Sequence, residues 1–370
     1  MTNQAKIDSL VTRYYRIPLK EQLSDSRHGV HTHFDLVTVT IKSGADITGI
    51  GYTYTVHAGG GAILSLIKDD IAPLLIGQPS GEINLLWQKI WKRTHYVGRG
   101  GIVSFVISAI DIALWDLKGK NENTPLWKLI GGKSNSVPAY IGGIDLHLST
   151  EELVNKSINA CERGYTALKM KVGRNYLEED VERVRAVRKA VGKDTIIMLD
   201  ANMAWSVEEA IIASKAFSES KIFWLEEPIE PDDYLGHNRV LKEGGLPIAA
   251  GESLRTVTEF KHLFNAGGVS FAEPDASNIG GITAWLEVAT LARERKLPVT
   301  SHGIHELHVH LLSGISNSSY LEVHGFGIDR FIENSPEFKN GEMQASNSPG
   351  HGVKFKEHLL HKYEIDNAGI

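Results

Sequence analysis

The 370-residue chain has one cysteine, Cys161, and therefore cannot form a disulfide within itself. It has no excess of basic residues, because 39 Lys and Arg face 45 Asp and Glu, and the net charge of −6 argues against a nucleic-acid partner. No run approaches the roughly 18 apolar residues of a membrane span. The first residues lack a basic segment followed by an apolar stretch, which argues against a signal peptide. These absences predict a soluble, cytoplasmic protein with neither a nucleic-acid nor a membrane partner.

The sequence also lacks a convincing glycine-rich nucleotide loop, so an open doubly wound sheet is not favoured. Instead, from about residue 137, short apolar runs alternate with amphipathic helical stretches at intervals of roughly 20 to 30 residues. This alternation predicts an α/β fold with a (β/α)7β barrel of the TIM type. The expected strands are Val137–Ile141, Ala167–Val172, Thr195–Leu199, Ile222–Leu225, Pro247–Ala250, Val269–Ala272, Leu297–Thr300 and Tyr320–Val323.

The first third of the chain has a different pattern. The runs Leu36–Ile41 and Gly49–Tyr54 predict an antiparallel hairpin or meander. Ala62–Ile71 predicts a helix that ends at Pro73, and Ser104–Lys118 predicts a buried helix. Strands followed by helices form an α+β unit. The expected domains are an N-terminal α+β capping domain at 1–133, the barrel at 134–333, and a tail at 334–370 that returns to the capping domain.

Three acidic residues end consecutive predicted strands. Asp200, Glu226 and Glu252 follow one another at intervals of 26 residues, one βα unit each. Because all strand ends of a parallel barrel converge on one face, the three carboxylates are expected to share one space. Their mutual repulsion is relieved by a hard divalent cation, and all-oxygen ligands favour magnesium over zinc. A single such acid is more often a helix cap or a loop ion pair, but the regular spacing favours a metal site.

Basic and acidic side chains flank this expected metal site. Lys169 and Lys171, two positions apart on one strand, project to the same side, where their repulsion is expected to lower a lysine pKa toward that of a general base. Away from a metal, such a pair would be a solvated pair of charges. Asp275 and His302 end the next strands beyond the triad, so the carboxylate can orient the imidazole and raise its pKa. The arrangement predicts proton abstraction beside a carboxylate, with the metal stabilising an enediolate.

Two further motifs fail on their spacing. The segment from Gly132 to Ser134 is not a phosphate loop, because Trp127 stands where the first glycine is required. The segment from His305 to His308 resembles a zinc-protease helix, but its second histidine falls one position early. The histidine-rich segment is interpreted as a polar stretch at the barrel mouth with some solvated rings.

Taken in order, these residues resemble those of the mandelate racemase subgroup of the enolase superfamily, and the similarity extends over nearly the whole chain. Several local stretches are most similar to the talarate/galactarate dehydratases. They are Pro18-Leu19, Leu23-Ser24-Asp25, His57-Ala58-Gly59-Gly60, Val97-Gly98-Arg99, Ile110-Asp111-Ile112-Ala113-Leu114-Trp115-Asp116 and Glu306-Leu307-His308-Val309-His310.

The resemblance implies one Mg²⁺ per active site and a role for each candidate residue. The implied roles are metal ligation by Asp200, Glu226 and Glu252, catalysis by Lys171 on one face and by His302 with Asp275 on the other, contact with the substrate carboxylate by Lys169 and Glu322, and substrate binding by Asn202, Arg27 and His28. The polar segment Leu23–His33 is expected to close over the barrel mouth and to bind the distal end of a hydroxylated dianion, with Arg27 facing its second carboxylate.

The leading interpretation is an acid-sugar dehydratase for a hexarate such as galactarate or talarate. The alternative is a racemase or epimerase of a 2-hydroxy acid, since the same enediolate can simply be reprotonated. A catalytically silent metal-binding protein is a third class, but such a protein should have lost Lys171, His302 or a metal ligand. None of these residues is lost. A small hydroxy-acid substrate and a homo-oligomeric assembly are expected.

Overall fold

A computed structural model describes residues 5–44 and 47–365. The chain begins with a three-stranded antiparallel meander in the order β1-β2-β3. Its strands are β1 (Ile7–Asp25), β2 (Gly29–Ser43) and β3 (Ile47–Val56). The sequence does not predict β1, because this strand buries only part of one face and carries charged residues along the other. As a consequence, much of the expected lid segment Leu23–His33 consists of the paired ends of β1 and β2.

Helices cover one face of the meander. The expected end of the first helix at Pro73 is wrong, since the helical path runs on to Leu75. Pro73 lies in the first turn of a new helical segment, where a missing backbone N–H removes no hydrogen bond. The helical segments are α1 (Gly60–Leu66), a π-helical turn (Ile67–Ile71), α2 (Ala72–Leu75), α3 (Ile83–Thr94), α4 (Ile102–Asn121) and α5 (Leu126–Leu129).

The parallel strands of the second sheet form the predicted barrel. They are β4 (Ser136–Gly142), β5 (Ala167–Lys171), β6 (Ile196–Asp200), β7 (Ile222–Glu226), β8 (Ile248–Ala250) and β9 (Phe271–Ala272), which pair in that order, and β10 (Leu321–Val323), which pairs with β4. The predicted seventh strand, Leu297–Thr300, is reduced to single bridges. Val299 bridges Ala272 on one side and Ser318 on the other, so the barrel closes through this residue.

Helices surround the barrel in the expected alternation. Three of them begin with a capping box, in which Ser149, Ser206 or Thr256 accepts a hydrogen bond from the amide of a glutamate three residues later. Each cap fixes the first residue of the helix that follows a barrel strand. The helices are α6 (Thr150–Glu162), α7 (Leu177–Val191), α8 (Val207–Phe217), α9 (Tyr234–Arg239), a π-helical turn (Val240–Gly244), α10 (Val257–Ala266), α11 (Gly281–Glu294) and α12 (His305–Gly314).

The interpretation of the histidine-rich segment as solvated is wrong, because α12 is buried. Its polar side chains have partners in other elements. His305 lies 2.9 Å from Asp329, and Glu306 accepts a hydrogen bond of 2.7 Å from the Tyr52 hydroxyl of β3. Burial lowers the pKa of His308 to about 4, so this ring is neutral. The hydroxyl of Tyr52 in the capping domain thus pairs with a side chain that the local sequence alone would predict to be exposed to solvent.

The C-terminal segment contacts both parts of the chain. Two short strands extend the barrel sheet, with the second antiparallel to β4, and the chain then reaches the capping domain. There the His351 amide donates to Asp116, and the Ile365 amide donates to the Tyr14 carbonyl. The remaining elements are β11 (Glu337–Lys339), β12 (Glu342–Gln344), α13 (Glu357–Leu360) and short 3₁₀ turns at Ser218–Ser220, Ile328–Phe331 and His361–Tyr363.

The long helix α4 joins the capping domain to the barrel. Asp111 of α4 accepts hydrogen bonds from the Thr283 amide at 2.9 Å and the Thr283 hydroxyl at 2.6 Å, in the first turn of α11. Ser108, one turn earlier, accepts hydrogen bonds from the amides of Gly280 and Gly281. These contacts satisfy the free N–H groups of the α11 N-terminus. Within residues 5–44 and 47–365, no helix combines the length and apolarity needed to cross a bilayer.

We expect Asp111→Ala to lower the free energy of unfolding by about 1–3 kcal/mol, because it leaves two partly buried donors of Thr283 without their acceptor. Denaturant titration at neutral pH, followed by tryptophan fluorescence, measures this change. Asp194→Ala is the matched control, since Asp194 is exposed and its loss should change stability by no more than about 0.5 kcal/mol. Equal stability of the two variants would contradict the proposed role of this interface.

Candidate active site

The three predicted metal ligands meet at the barrel mouth. Asp200 and Glu226 are the last residues of β6 and β7, and Glu252 follows β8 by two positions. One oxygen of each carboxylate lies within 4.8 Å of the others, and all three residues are buried. Among the described residues, Glu252 Oε2 accepts no hydrogen bond. Three buried carboxylates with an unsatisfied oxygen form a donor set that fits a hard divalent cation such as Mg²⁺.

Two lysines lie against this triad. Lys171 Nζ donates a hydrogen bond to Asp200, and Lys169 Nζ donates one to Glu226. Lys169 Nζ also lies 2.9 Å from Glu322 Oε1, so this ammonium group bridges two acids. Burial would raise the pKa of Glu322, but Lys169 and the nearby histidines together outweigh burial and hold this pKa below its usual value. The lysines therefore keep part of this acidic cluster ionised in a buried site.

The expected lowering of the Lys171 pKa is wrong for this arrangement. Burial is the largest influence and, with the neighbouring Lys169, lowers the pKa of Lys171, but the carboxylates of Asp200, Glu252 and Glu226 together outweigh both, and the pKa is raised. The lysine–lysine repulsion predicted from the spacing is therefore present but is not the dominant interaction. A divalent cation shared by the carboxylates would compete for the same negative charge and so favour the neutral amine that a base requires.

The Asp275–His302 pair lies beside Glu252. His302 Nδ1 is 3.1 Å from Asp275 Oδ2, and His302 Nε2 is 3.4 Å from Glu252 Oε2. Burial would lower the pKa of His302, but these two carboxylates raise it to about 10. Burial would raise the pKa of Asp275, yet the hydrogen bond with His302 holds it below its usual value. His302 thus carries a proton at neutral pH and can act as an acid.

Tyr54 of β3 is a site residue that the sequence analysis missed. Its hydroxyl donates to Asp275 Oδ2 at 3.2 Å and lies 3.3 Å from His302 Nδ1. The side chain comes from the capping domain, whose contact with the dyad no local motif predicts. His324 was also missed, although it lies only two positions after Glu322, just beyond the end of β10, and its ring centroid is 5.3 Å from that of His302. Burial lowers its pKa to about 3, which makes it a neutral ring beside the charged His302.

A cavity of about 370 Å³ lies between the barrel mouth and the capping domain. Lys171 and His302 both line it, in the same space as the triad residue Glu252. The capping helices contribute the apolar side chains Ile63 and Phe105 to the lining. The cavity therefore combines charged catalytic groups with apolar side chains, as small-molecule sites commonly do.

The structure distributes the three predicted substrate-binding residues differently. Asn202 lines the cavity in a left-handed conformation, with φ of 41°, and its amide donates to Asp200 Oδ1. His28 also lines the cavity. Arg27 does not belong to this lining, because its guanidinium pairs with Glu230 at 2.8 Å on the exposed side of the hairpin. The expected contact of Arg27 with a distal carboxylate is therefore not supported by this geometry.

Both family models place the chain in one superfamily. Residues 10–131 match the mandelate racemase/muconate lactonizing enzyme N-terminal domain, and residues 152–359 match the enolase C-terminal domain-like model. The chain belongs to the mandelate racemase/muconate lactonizing enzyme family of the enolase superfamily. The resemblance found in the motifs is thereby confirmed.

Individual relatives include both dehydratases and isomerases. The 3,6-anhydro-alpha-L-galactonate cycloisomerase of Streptomyces coelicolor is 45% identical over 94% of this chain and 96% of its own length. The L-talarate/galactarate dehydratase of Salmonella typhimurium is 32% identical over 92% of this chain and 87% of its own length. Both relatives match nearly the whole of this chain, but their names describe two different overall reactions.

Two solved structures resemble the chain closely and contain magnesium. A racemase from Streptomyces coelicolor A3(2) with bound magnesium has a TM-score of 0.95 and 43% identity, covering 97% of this chain and 100% of the other. The L-talarate dehydratase from Polaromonas sp. JS666, complexed with Mg and L-glucarate, has a TM-score of 0.93 and 30% identity, covering 98% of each chain. The magnesium expected from the carboxylate triad is thus confirmed among the relatives.

We expect Asp275→Asn to lower the pKa of His302, because a neutral amide replaces a carboxylate that favours the imidazolium. His302 is protonated below its pKa of about 10, so a lower pKa moves loss of the proton toward neutral pH. An NMR titration of the His302 ring measures the shift. Asp329→Asn is the control, since its carboxylate lies 2.9 Å from His305 instead. A His302 titration unchanged by Asp275→Asn would show that the carboxylate does not set this pKa.

Proposed function

We propose that the protein removes the proton beside the carboxylate of an acid sugar, with Mg²⁺ as cofactor, and then eliminates the oxygen on the β-carbon. The observation that carries this proposal is the placement of Lys171 and His302 in one cavity with Glu252, one of the three carboxylates of the triad. Such a pair can act on the two faces of a bound acid, one as base and the other as acid. The product would be a 2-keto-3-deoxy acid, formed when the enol left by elimination tautomerises.

Each residue has a defined task in this reaction. Magnesium, when bound, supplies positive charge that stabilises the enediolate. Lys171 in its neutral form takes the proton from carbon 2, and Lys169 with Glu322 holds the substrate carboxylate in place. His302, held by Asp275, is positioned to deliver a proton to the oxygen that leaves carbon 3. Asp275 and Tyr54 hold the His302 ring in position through contacts of 3.1–3.3 Å with it and with each other.

The nature of the leaving oxygen separates two reactions that use the same residues. If the oxygen is a free hydroxyl, the C–O bond breaks, water leaves and the enzyme is a dehydratase. If the oxygen belongs to an anhydro ring, the same bond cleavage opens the ring, no atom is lost and the enzyme is an isomerase. The residues that abstract and deliver protons are therefore compatible with both outcomes.

Two observations favour ring opening as the first candidate. The cycloisomerase of Streptomyces coelicolor, named for 3,6-anhydro-alpha-L-galactonate, is 45% identical to this chain. The cavity wall formed by Ile63 and Phe105 is apolar, and Arg27 pairs with Glu230 instead of lining the cavity. An apolar wall suits an uncharged sugar ring better than a second carboxylate.

Dehydration of a hexarate such as galactarate or talarate is the second candidate. It is favoured by the 32% identity to the Salmonella talarate/galactarate dehydratase. Arg255 also lines the cavity and could bind a second carboxylate in place of Arg27. Racemisation or epimerisation of a 2-hydroxy acid is the third outcome to test, because the Streptomyces structure with bound magnesium is described as a racemase. The cytoplasmic location and homo-oligomeric assembly stay predictions.

One assay distinguishes these reactions. The protein is incubated with Mg²⁺ and 3,6-anhydro-galactonate, galactarate, talarate or mandelate, and keto products are detected with semicarbazide. A keto product of the same mass as the substrate supports ring opening, and one lighter by a water molecule supports dehydration. Loss of optical rotation without a keto product would instead support a racemase. Activity that survives exhaustive chelation would overturn the requirement for a metal.

We expect Lys171→Ala and His302→Asn each to lower the rate by roughly 10²–10⁴-fold, the usual effect of removing a positioned acid or base. The two variants should also lose different stereochemical halves of solvent deuterium exchange at carbon 2, measured by NMR. Lys189→Ala, an exposed lysine of α7, is the control and should exchange like the wild type. Identical exchange patterns in the two catalytic variants would contradict a two-face mechanism.

A further inference from the structure

A second cluster of metal-ligand types lies on the hairpin that joins β1 to β2. Asp25 is the last residue of β1, His28 lies in the turn, and His31 is the third residue of β2. The Ser24 amide donates to the Ile144 carbonyl, and the Ser26 hydroxyl donates to the Ala201 carbonyl. These bonds fix the end of the hairpin against the barrel loops and therefore hold the cluster at the edge of the cavity.

The turn brings one potential ligand atom from each of the three residues close together. Asp25 Oδ1 accepts hydrogen bonds from the amides of Arg27 at 2.9 Å and His28 at 2.6 Å, which holds the carboxylate in place. Its other oxygen, Oδ2, lies 3.1 Å from His28 Nδ1 and 2.7 Å from His31 Nε2. One atom from each of the three residues lies within 4.8 Å of the other two. Zinc bonds of about 2.0–2.2 Å to such atoms need only small movements of the rings.

Asp25 and His31 are buried, His28 is exposed at the surface, and one nitrogen of the cluster has no partner within the described part of the chain. His31 is 3% exposed, and its Nδ1 atom makes no hydrogen bond to any described residue. The ring of His57 stacks on His31, with centroids 4.9 Å apart, and covers one side of the cluster. His57 adopts a left-handed backbone conformation with φ of 66°, which is uncommon for a residue other than glycine. The contacts of His28 and His31 with Asp25 do not by themselves account for the presence of this third ring.

The donor types differ from those of the catalytic triad. Asp200, Glu226 and Glu252 offer oxygen only, which suits Mg²⁺. Two imidazole nitrogens with one carboxylate are the ligands of Zn²⁺ and similar transition metals, and an open fourth position is left for water or a ligand. We propose that Asp25, His28 and His31 form a second divalent-cation site, selective for Zn²⁺ over Mg²⁺, on the hairpin wall of the cavity.

Occupation of this site has a consequence for the reaction. Asp25, His28 and His31 all line the cavity that also contains Lys171 and His302. A hydrated cation held there takes up space that the distal part of a substrate would need, so Zn²⁺ inhibits by raising KM more than it lowers kcat. The inhibition rests on the proposed function, whereas the binding of zinc does not.

The test measures zinc directly on the full-length protein. Protein stripped by chelation is dialysed against Zn²⁺ in the presence of excess Mg²⁺, and bound zinc is counted by elemental analysis. Co²⁺ replaces zinc in a parallel sample, where its visible absorption reports nitrogen ligands and low coordination number. The variants are His31→Asn and His28→Asn, with Glu226→Gln to disable the magnesium triad. His33→Asn is the matched control, because His33 belongs to the same hairpin but bonds to Thr32 rather than to Asp25.

We expect one zinc per chain in the wild type, in His33→Asn and in Glu226→Gln, and at least tenfold weaker binding in His31→Asn and His28→Asn. Zinc that disappears in Glu226→Gln, or that excess Mg²⁺ displaces, would assign the ion to the triad and overturn the proposal. Absence of bound zinc from folded wild-type protein would also overturn it. Since the stoichiometry is measured without substrate, failure of the proposed reaction leaves this result unaffected.

Discussion

The central constraint on this structure is the crowding of buried carboxylates at the barrel mouth. Asp200, Glu226, Glu252, Asp275 and Glu322 all lie there with little exposure to solvent. Buried carboxylates of the same charge cannot all remain ionised without compensation. Compensation comes from Lys169 and Lys171 on one side and from the imidazolium of His302 on the other. These three cations are also the groups that the proposed chemistry uses, so stability and catalysis depend on the same ion pairs.

The capping domain completes this arrangement instead of merely covering it. Tyr54 reaches from β3 to the Asp275–His302 pair, and Tyr52 on the same strand donates to Glu306 of α12. The Ser104 hydroxyl of α4 donates to the carbonyl of Arg255, a residue of the cavity wall. The barrel therefore supplies charged groups whose orientation depends on hydroxyl groups from the other domain. Any displacement of the capping domain would loosen the dyad and open the cavity to water.

The barrel and its metal ligands could be predicted from the sequence because both follow a regular period. Parallel strands appear in the sequence as buried apolar runs. Because the ends of these strands lie on one face of the barrel, acids at the ends of three consecutive runs, such as Asp200, Glu226 and Glu252, must lie near one another. The contacts between domains could not be predicted in this way. Tyr54 and the buried residues of α12 depend on pairings that are more than 200 residues apart in sequence.

Other errors came from competition between charges. The predicted effect of Lys169 on Lys171 is real, but the contact with Asp200 is stronger, and spacing along one strand gives no information about distances to the next strand. Arg27 was expected at the cavity because of its charge, yet Glu230, more than 200 positions later, lies closer. In both cases the charge of the residue suggested an interaction, but a carboxylate from another element of the fold became its main partner.

The hairpin that carries Arg27 also limits what the enzyme can accept. In the proposed reaction the carboxylate triad and its lysines hold one end of the substrate, so specificity would arise from other residues of the cavity wall, such as those of the hairpin and the capping helices. The reacting groups are indifferent to whether the leaving oxygen is a hydroxyl or a ring ether, because both depart from the same carbon toward the same acid. Reaction type in this family can therefore change with the residues of this wall while Lys171 and His302 stay the same. The proposed site on the hairpin and the oxygen-only triad differ in ligand chemistry and would therefore favour different cations.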